Sequence, residues 1–400
     1  MNEATRRFID AHRKEDVRAL ALQTVKDPAV DLSFALNQIK GWQIARKKIP
    51  SWAATDGILF PIQLSMEQCS SEQTARYKQQ LCNRLLEHPL VPCDTTLVDL
   101  TGGMGVDCSF MAKAFEHACY VERQETLCEL VENNFSLLHL EQVEVVCADA
   151  AAYLRDCPPV TMFFLDPARR DNHGGRTYAV TDCTPDVLAL KNLLLEKSVY
   201  VLLKLSPMLD WHHTVQLLGD VLEVHIVSVG NECKELLVLL SKKLKKEMQL
   251  FCVDDGNVFC PTQSEICSLQ KESIPSDNFA EWNYLYEPNA SVMKAGCFDE
   301  LSKSFAVVQL AANSHLFVSD HLIEDFPGRR FEITGLTTMN KKELKGFLKD
   351  CSQANLAVRN FPMTVAELRK RLHLKEGGDS YLFATTTQDR QHILIMTRKV

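Results

Sequence analysis

The spacing of apolar positions changes near residue 90. Before it, apolar side chains recur at helical intervals in Phe8 to Leu20 and again in Thr74 to Leu86. Ser70-Ser71-Glu72 precedes the second stretch. Serine there accepts from exposed amides and the acid suits the positive end of a helix, so a helix start is predicted. Pro50, Gly57 and Pro61 predict loop and short extended pieces in between. From Pro92 to about Leu240, β-rich runs alternate with helical patterns: Thr96 to Leu100, Ala118 to Val121, Val143 to Cys147, Met162 to Leu165, Val199 to Lys204, Val224 to Val229 and Glu235 to Leu240. Such alternation predicts a parallel sheet of right-handed βαβ units. The last two runs are joined only by Gly230 to Lys234, too short for a helical crossover, and are expected to pair as an antiparallel hairpin.

Ser241 to Glu247, with four lysines, is expected to be a solvated connector. Strand-like runs follow in Phe251 to Gln270, and Trp282 to Ala312 mixes aromatic and helical patterns. Residues from about Phe326 to Val400 predict a compact α+β unit. Its extended pieces are Arg330 to Thr334, Leu356 to Arg359, Tyr381 to Ala384 and His392 to Thr397, and its helices are Lys341 to Asp350 and Val365 to Leu372.

Length and composition narrow the class. Four hundred residues exceed one usual core, so several domains are expected. The polar N-terminus and the short Val199 to Leu209 run, interrupted by Lys204, predict neither a secretory signal nor a membrane span, and a cytoplasmic location is expected. Fifteen cysteines, with no Cys-x-x-Cys pair, predict reduced thiols rather than a zinc site or disulfide framework, and no metal is expected. The net charge of −8 argues against a generic nucleic-acid binder. Its distribution is uneven, with 13 basic and 10 acidic side chains in residues 1–90, 17 and 33 in 91–320, and 14 and 9 in 321–400. Basic ends around an acidic middle suit a catalytic centre flanked by polyanion-binding modules, although an accidental distribution would look the same.

The strongest chemical signal is Leu97-Val98-Asp99-Leu100-Thr101-Gly102-Gly103-Met104-Gly105-Val106-Asp107, an apolar strand running through a glycine-rich turn into a helix. Glycines let the backbone approach a ligand, and the helix start offers free amides. The next strand ends at Val121-Glu122, 23 residues after Asp99, where an acid can accept from both hydroxyls of a ribose. The third ends at Ala148-Asp149, placed for an adenine amine. The fourth ends in Asp166-Pro167-Ala168-Arg169-Arg170. Acids at the carboxyl ends of successive strands occupy the edge where open α/β sheets bind ligands.

Taken as a set, Asp99 with the glycines, Glu122, the helix containing Asn133-Asn134, Asp149 and Asp166-Pro167 resemble the ordered motifs of class I S-adenosylmethionine-dependent methyltransferases. The resemblance covers residues 92 to 240, and a parallel sheet ending in a hairpin agrees with it. It implies that Gly102, Gly103 and Gly105 flank the methionine part of S-adenosylmethionine, that Glu122 holds the ribose and that Asp149 lies near adenine. Thr101 stands where many members carry the first glycine of the turn. Outside this region, Glu67 to Lys78, Tyr286-Glu287-Pro288, Arg359-Asn360-Phe361-Pro362 and Lys375 to Asp379 resemble a bacterial methyltransferase family with a ferredoxin-like module and a C-terminal THUMP-like domain. That resemblance implies an RNA substrate, tRNA or rRNA. The expected organisation is an N-terminal helical region (1–90), a Rossmann-like α/β methyltransferase domain (91–245), a ferredoxin-like module (246–325) and a THUMP-like domain (326–400).

In amino-methyltransferases the acid of the Asp-Pro motif and the proline carbonyl accept from the target amine and aim its lone pair. The expected roles follow for Asp166 and Pro167. Many such enzymes carry an aromatic residue at the fourth position; here it is Arg169, whose plane can stack on a base or grip a phosphate, with Arg170 beside it. Asp-Pro-x-Arg is also similar to enzymes that methylate carbon 5 of uridine through a cysteine at the end of the fifth strand. This chain reads Lys204-Leu205-Ser206-Pro207 there, so direct transfer to a base nitrogen is preferred, with Lys204 as a substrate contact. Ser70 to Lys78 is a candidate lid, and His212-His213 are expected at the surface. Two alternatives stay open: methylation of a protein or small molecule, and a noncatalytic RNA-binding protein that retains the fold. The oligomeric state is not readable from the sequence.

Overall fold

Asp16 interrupts what the apolar spacing reads as one helix. Its carboxylate accepts from the Ala19 amide at 2.9 Å, so α1 (Glu3–His12) ends and α2 (Val17–Ala21) starts anew. The computed structural model describes residues 1–23, 25, 27–169, 183–244, 247–261 and 282–400. Two compact units divide the chain, 1–224 with 234–248 and 225–233 with 249–400.

Between α2 and the helix that follows Ser71, where loop and short extended pieces were expected around Pro50, Gly57 and Pro61, the chain forms helices. Asp31 caps α3 (Leu32–Lys48), accepting from the Phe34 amide at 3.0 Å. Pro50 begins α4 (Pro50–Ala54) rather than breaking a helix, because a proline in the first turn lacks only an amide that would have no partner. Then come α5 (Gln63–Gln68) and α6 (Glu72–Leu86), the latter capped by Ser71 as its serine-acid start predicts. Trp52, Phe60, Met66 and Ala75 of this region pack against Met104, Val106 and Phe110. The helical region is therefore seated against the glycine turn.

The larger sheet includes β1 (Thr96–Asp99), β2 (His117–Glu122), β3 (Val143–Cys147), β4 (Val160–Leu165), β7 (Ser198–Leu205), β8 (Val221–Val229) and β9 (Glu232–Leu240); β5 (Ala168–Arg169) and β6 (Cys183–Thr184) form a separate short antiparallel pair. Between them run α7 (Val106–Met111), α8 (Glu125–Leu137), α9 (Ala150–Asp156), α10 (Val187–Lys197) and α11 (Trp211–Leu218). Counted from the β3 edge of a nine-stranded sheet, the first seven places are β3-β2-β1-β4-β7-β9-β8. β1 to β4 and β7 are parallel, while β9 enters antiparallel beside β7. Gly230 and Asn231, at φ 59° and 61°, make the two-residue turn that joins β8 to β9. β9 thus lies inside the sheet, between β7 and β8, which is why its Leu236 to Leu240 are uniformly buried.

In the second unit β10 (Gln249–Asp254) pairs with β11 (Asn257–Phe259); of the strand-like run to Gln270, residues 262–281 lie outside the described residues. Then follow β12 (Tyr284–Pro288), α12 (Ala290–Ala295), α13 (Phe298–Phe305), β13 (Val308–Gln309), β14 (Phe317–Ser319) and β15 (Gly328–Thr338). The chain ends through α14 (Lys341–Phe347), β16 (Asn355–Arg359), α15 (Val365–Leu372), β17 (Ser380–Thr386) and β18 (His392–Lys399). One sheet of order β13-β14-β12-β15-β18-β17-β16 joins all seven of these strands from β12 onward. The motifs around Glu287 and Arg359 meet here: the buried Glu287 carboxylate accepts from both Arg329 and Arg359. Every described cysteine is a free thiol, and no helix of the described residues is long and apolar enough to cross a membrane.

Candidate active site

The glycine turn is built against one aromatic ring. A Cβ on Gly102 would lie 2.1 Å from Cε2 of Tyr120, a side chain with no exposed surface, so only glycine fits. Tyr120 in turn donates from its hydroxyl to the Gly103 carbonyl. Gly103 and Gly105 sit at φ 55° and 80°, the left-handed region that glycine reaches at little cost, and Gly105 is the residue from which α7 starts.

The acids at the strand ends are held by backbone. Glu122 accepts from the Gly103 amide and from the Gln124 amide, each at 3.0 Å, so the end of β2 is tied to the turn after β1. Asp149 caps α9, one oxygen accepting from the Ala151 and Ala152 amides at 3.0 Å. Asp99 is buried beneath the turn and accepts from the Thr101 amide at 3.0 Å. Burial, together with Asp107 and Asp166 nearby, pushes its carboxyl up to about 8. Thr101 now has a physical role: its hydroxyl accepts from the Asp166 amide at 2.6 Å and binds the end of β1 to the end of β4.

A cavity of about 1120 Å³ opens over these groups. Asp99, Thr101, Gly102, Gly103, Gly105, Glu122, Asp149, Asp166, Pro167 and Lys204 all line it, together with Ser70 and Ser206. The sequence-derived set is therefore brought together, except for the two arginines. Arg169 contributes its backbone to β5, and its side chain, like the whole of Arg170, lies outside the described residues. Asn134 belongs elsewhere, exchanging hydrogen bonds of 2.8 Å with the backbone of Leu59. His212 and His213 are exposed.

Beneath the cavity runs a chain of ionic groups that sequence reading missed. The Lys204 ammonium lies 2.5 Å from Asp166 and 3.4 Å from Asp107. Asp107 also accepts from Ser70 at 2.7 Å and lies 3.1 Å from the ammonium of Lys78, which in turn is 2.5 Å from Glu235. Burial works against the Lys204 charge, but Asp166, Asp107 and Glu235 outweigh it and raise its pKa well above the ordinary lysine value. Burial likewise pushes Asp107 up, and Lys78, Lys204 and Ser70 overcome it, holding the carboxyl below its usual range. Glu235 is raised, because there burial prevails over the two lysines. Lys78 has no exposed surface, so Ser70 to Lys78 is a packed support of the site rather than a lid.

Seven strands in this order, with antiparallel β9 between β7 and β8 and a crevice built on a glycine turn followed by strand-end acids, define the class I methyltransferase fold. A Porphyromonas gingivalis W83 protein assigned as a methyltransferase shares 30% identity over 99% of this chain and 98% of its own, with a TM-score of 0.85. The models of a ferredoxin-like domain and a THUMP domain-like segment match residues 284–327 and 328–399. The chain belongs to this family of class I methyltransferases with ferredoxin-like and THUMP-like modules. Partial likenesses include a Listeria monocytogenes protein assigned as a class I S-adenosylmethionine-dependent methyltransferase (12% identity, 64% of this chain, 94% of that chain, TM-score 0.40). An O-methyltransferase from Bacillus cereus, solved with S-adenosylhomocysteine, gives 11% identity, 58% and 100% coverage, and a TM-score of 0.35. No curated protein matches the chain.

Proposed function

We propose that the protein transfers a methyl group from S-adenosylmethionine to a base nitrogen in RNA. The observation that carries this reading is the convergence of Gly102, Gly103, Glu122, Asp149, Asp166 and Lys204 on one cavity. Its volume, about 1120 Å³, exceeds the roughly 300–1,000 Å³ of single small-molecule pockets and leaves room for a donor and an acceptor together. S-adenosylmethionine supplies the electrophilic methyl group. The residues present fit it: a Cβ on Gly103 would meet no side chain within 4 Å, and Glu122 offers a fixed carboxylate at the ribose position of such folds. In this reading Gly102, Gly103 and Gly105 flank the methionine part, Asp149 faces adenine, and Asp99 and Thr101 hold the turn. Asp166 and the Pro167 carbonyl orient the acceptor, and Arg169, Arg170 and Lys204 contact substrate.

RNA as acceptor is supported by the THUMP-like match at 328–399 and by the basic balance of residues 321–400. The methyl-transfer module is assigned to 91–245, following the helical region 1–90, with the C-terminal modules in 246–325 and 326–400. The test incubates the full chain with methyl-labelled S-adenosylmethionine and a total lysate of cells lacking the gene, then separates RNA from protein. Label in RNA is expected; label confined to protein or small molecules refutes the RNA reading.

A further inference from the structure

Asp166 and Lys204 offer opposite hydrogen-bonding characters side by side in the cavity. Asp166 is acceptor-only and its side chain is 40% exposed; Lys204 is donor-only and 12% exposed. Asp166 and Asp107 take two of the three Lys204 N–H groups. A ligand complementary to this pair presents a donor opposite Asp166 and an acceptor opposite Lys204, on neighbouring atoms.

An alkylamine acceptor, such as a protein lysine, offers donors to Asp166, but its single lone pair goes to the methyl carbon, so nothing remains to accept from Lys204. Two nucleobase edges match the pattern. In an amidine edge, as in adenine or cytosine, the donor is the exocyclic amine and the acceptor is a ring nitrogen. Donation from a cation to that ring nitrogen withdraws electrons from the amine and weakens it as a nucleophile. In a lactam edge, as at N1 of guanine or N3 of uracil, the donor is a ring N–H and the acceptor is a carbonyl. Donation to that carbonyl stabilises the anion left when the N–H gives up its proton, so more of the lactam reacts as the anion, a far better nucleophile than the neutral lactam. The pair therefore favours the lactam.

Building on the RNA reading above, we propose that Asp166 and Lys204 form a lactam-reading pair and that the methyl group goes to the ring nitrogen of a guanine or uracil lactam. Asp166 takes the N–H proton while the nitrogen lone pair forms the new bond to the methyl carbon. The carbon–sulfur bond breaks toward sulfur, giving S-adenosylhomocysteine, the methylated lactam and a protonated Asp166 that returns its proton to water. Lys204 donates to the carbonyl oxygen as negative charge builds on it. Charge is conserved, since a carboxylate and a sulfonium are consumed together.

The experiment incubates the full chain with RNA from cells lacking the gene and S-adenosylmethionine bearing a deuterated methyl group, followed by nucleoside mass spectrometry. Label on N1 of guanosine or N3 of uridine is expected. Label on an exocyclic amine, a ring carbon or a ribose overturns the lactam assignment while leaving RNA methylation intact, whereas label in protein alone overturns the RNA reading beneath it. Lys204→Met is expected to lower the single-turnover rate by about 100-fold, the order lost when one charge-stabilising donor is removed. Its affinity for S-adenosylhomocysteine by calorimetry stays within about threefold, while raising the pH restores part of the rate as the lactam loses its proton unaided. Loss of S-adenosylhomocysteine binding, or a rate deficit independent of pH, overturns the role given to Lys204. The position of the label with the unaltered chain stands whether or not that variant folds.

Discussion

Lys78→Met removes the only ammonium bonded to Glu235 by a described contact and one of two flanking Asp107, in a place without solvent. Asp107 keeps Lys204 and Ser70, so Glu235 bears the loss. A buried carboxylate stripped of its partner takes up a proton rather than stay charged. Holding a glutamate of ordinary value 4.5 protonated at pH 7 costs about 3.4 kcal/mol, at about 1.4 kcal/mol per pH unit. That is an upper limit, since burial already raises Glu235 in the unaltered chain. It agrees with the roughly 3–5 kcal/mol lost when one partner of a buried pair is removed. The sign is fixed: the variant's folded state binds a proton that its unfolded state releases above about 4.5, so its stability declines as the pH rises. The penalty is therefore about 3 kcal/mol at pH 7 and below about 1 kcal/mol at pH 5. For a unit of this size the pH 7 value lowers the unfolding temperature by roughly 6–12 °C. Calorimetric unfolding of both proteins at the two pH values checks it, with Lys78→Met/Glu235→Gln as the variant in which the pH dependence disappears. A penalty under about 1 kcal/mol at pH 7, or one equal at both pH values, refutes this account of the buried chain.

Two further outcomes follow from the glycine turn. Because burial raises Asp99 to about 8 from 3.8, its contribution to stability is complete below about pH 4 and is lost as the pH climbs to about 8. Asp99→Asn is expected to flatten the stability profile across that window in denaturant titrations, and parallel profiles for the two proteins would contradict it. Gly102→Ala drives a methyl group into the Tyr120 ring and is expected to destabilise by about 1–3 kcal/mol. S-adenosylhomocysteine affinity should fall at least about tenfold in calorimetry; unchanged affinity would separate the turn from cofactor binding.

The parts of the site that are local in sequence were legible there. Strand, turn and acid recur within a few residues at Asp99 to Gly105, Glu122, Asp149 and Asp166, and β-rich runs between helical patterns located the strands that carry them. What stayed hidden is non-local. Lys78 and Glu235 are 157 positions apart and Lys204 and Asp107 are 97 apart, and no periodicity marks a lysine that will be buried. Thr101 looked like a departure from the glycine pattern until its hydroxyl was seen to fix the Asp166 backbone. The segment 32–68 misled for another reason. Pro50 was read as a breaker, while its position at the first turn makes it a helix start.

The seam between the ferredoxin-like and THUMP-like segments falls between residues 327 and 328, and β15 begins at that point. β12 on one side of the seam is hydrogen-bonded to β15 on the other, through the register Tyr284 to Glu332 and Pro288 to Gly328. Severing the chain there would bare a strand edge on each fragment, inviting self-association. Neither segment is a portable module. The β12–β15 pairing ties them together, so swapping the last seventy residues between relatives requires that the complementary edge travel with them.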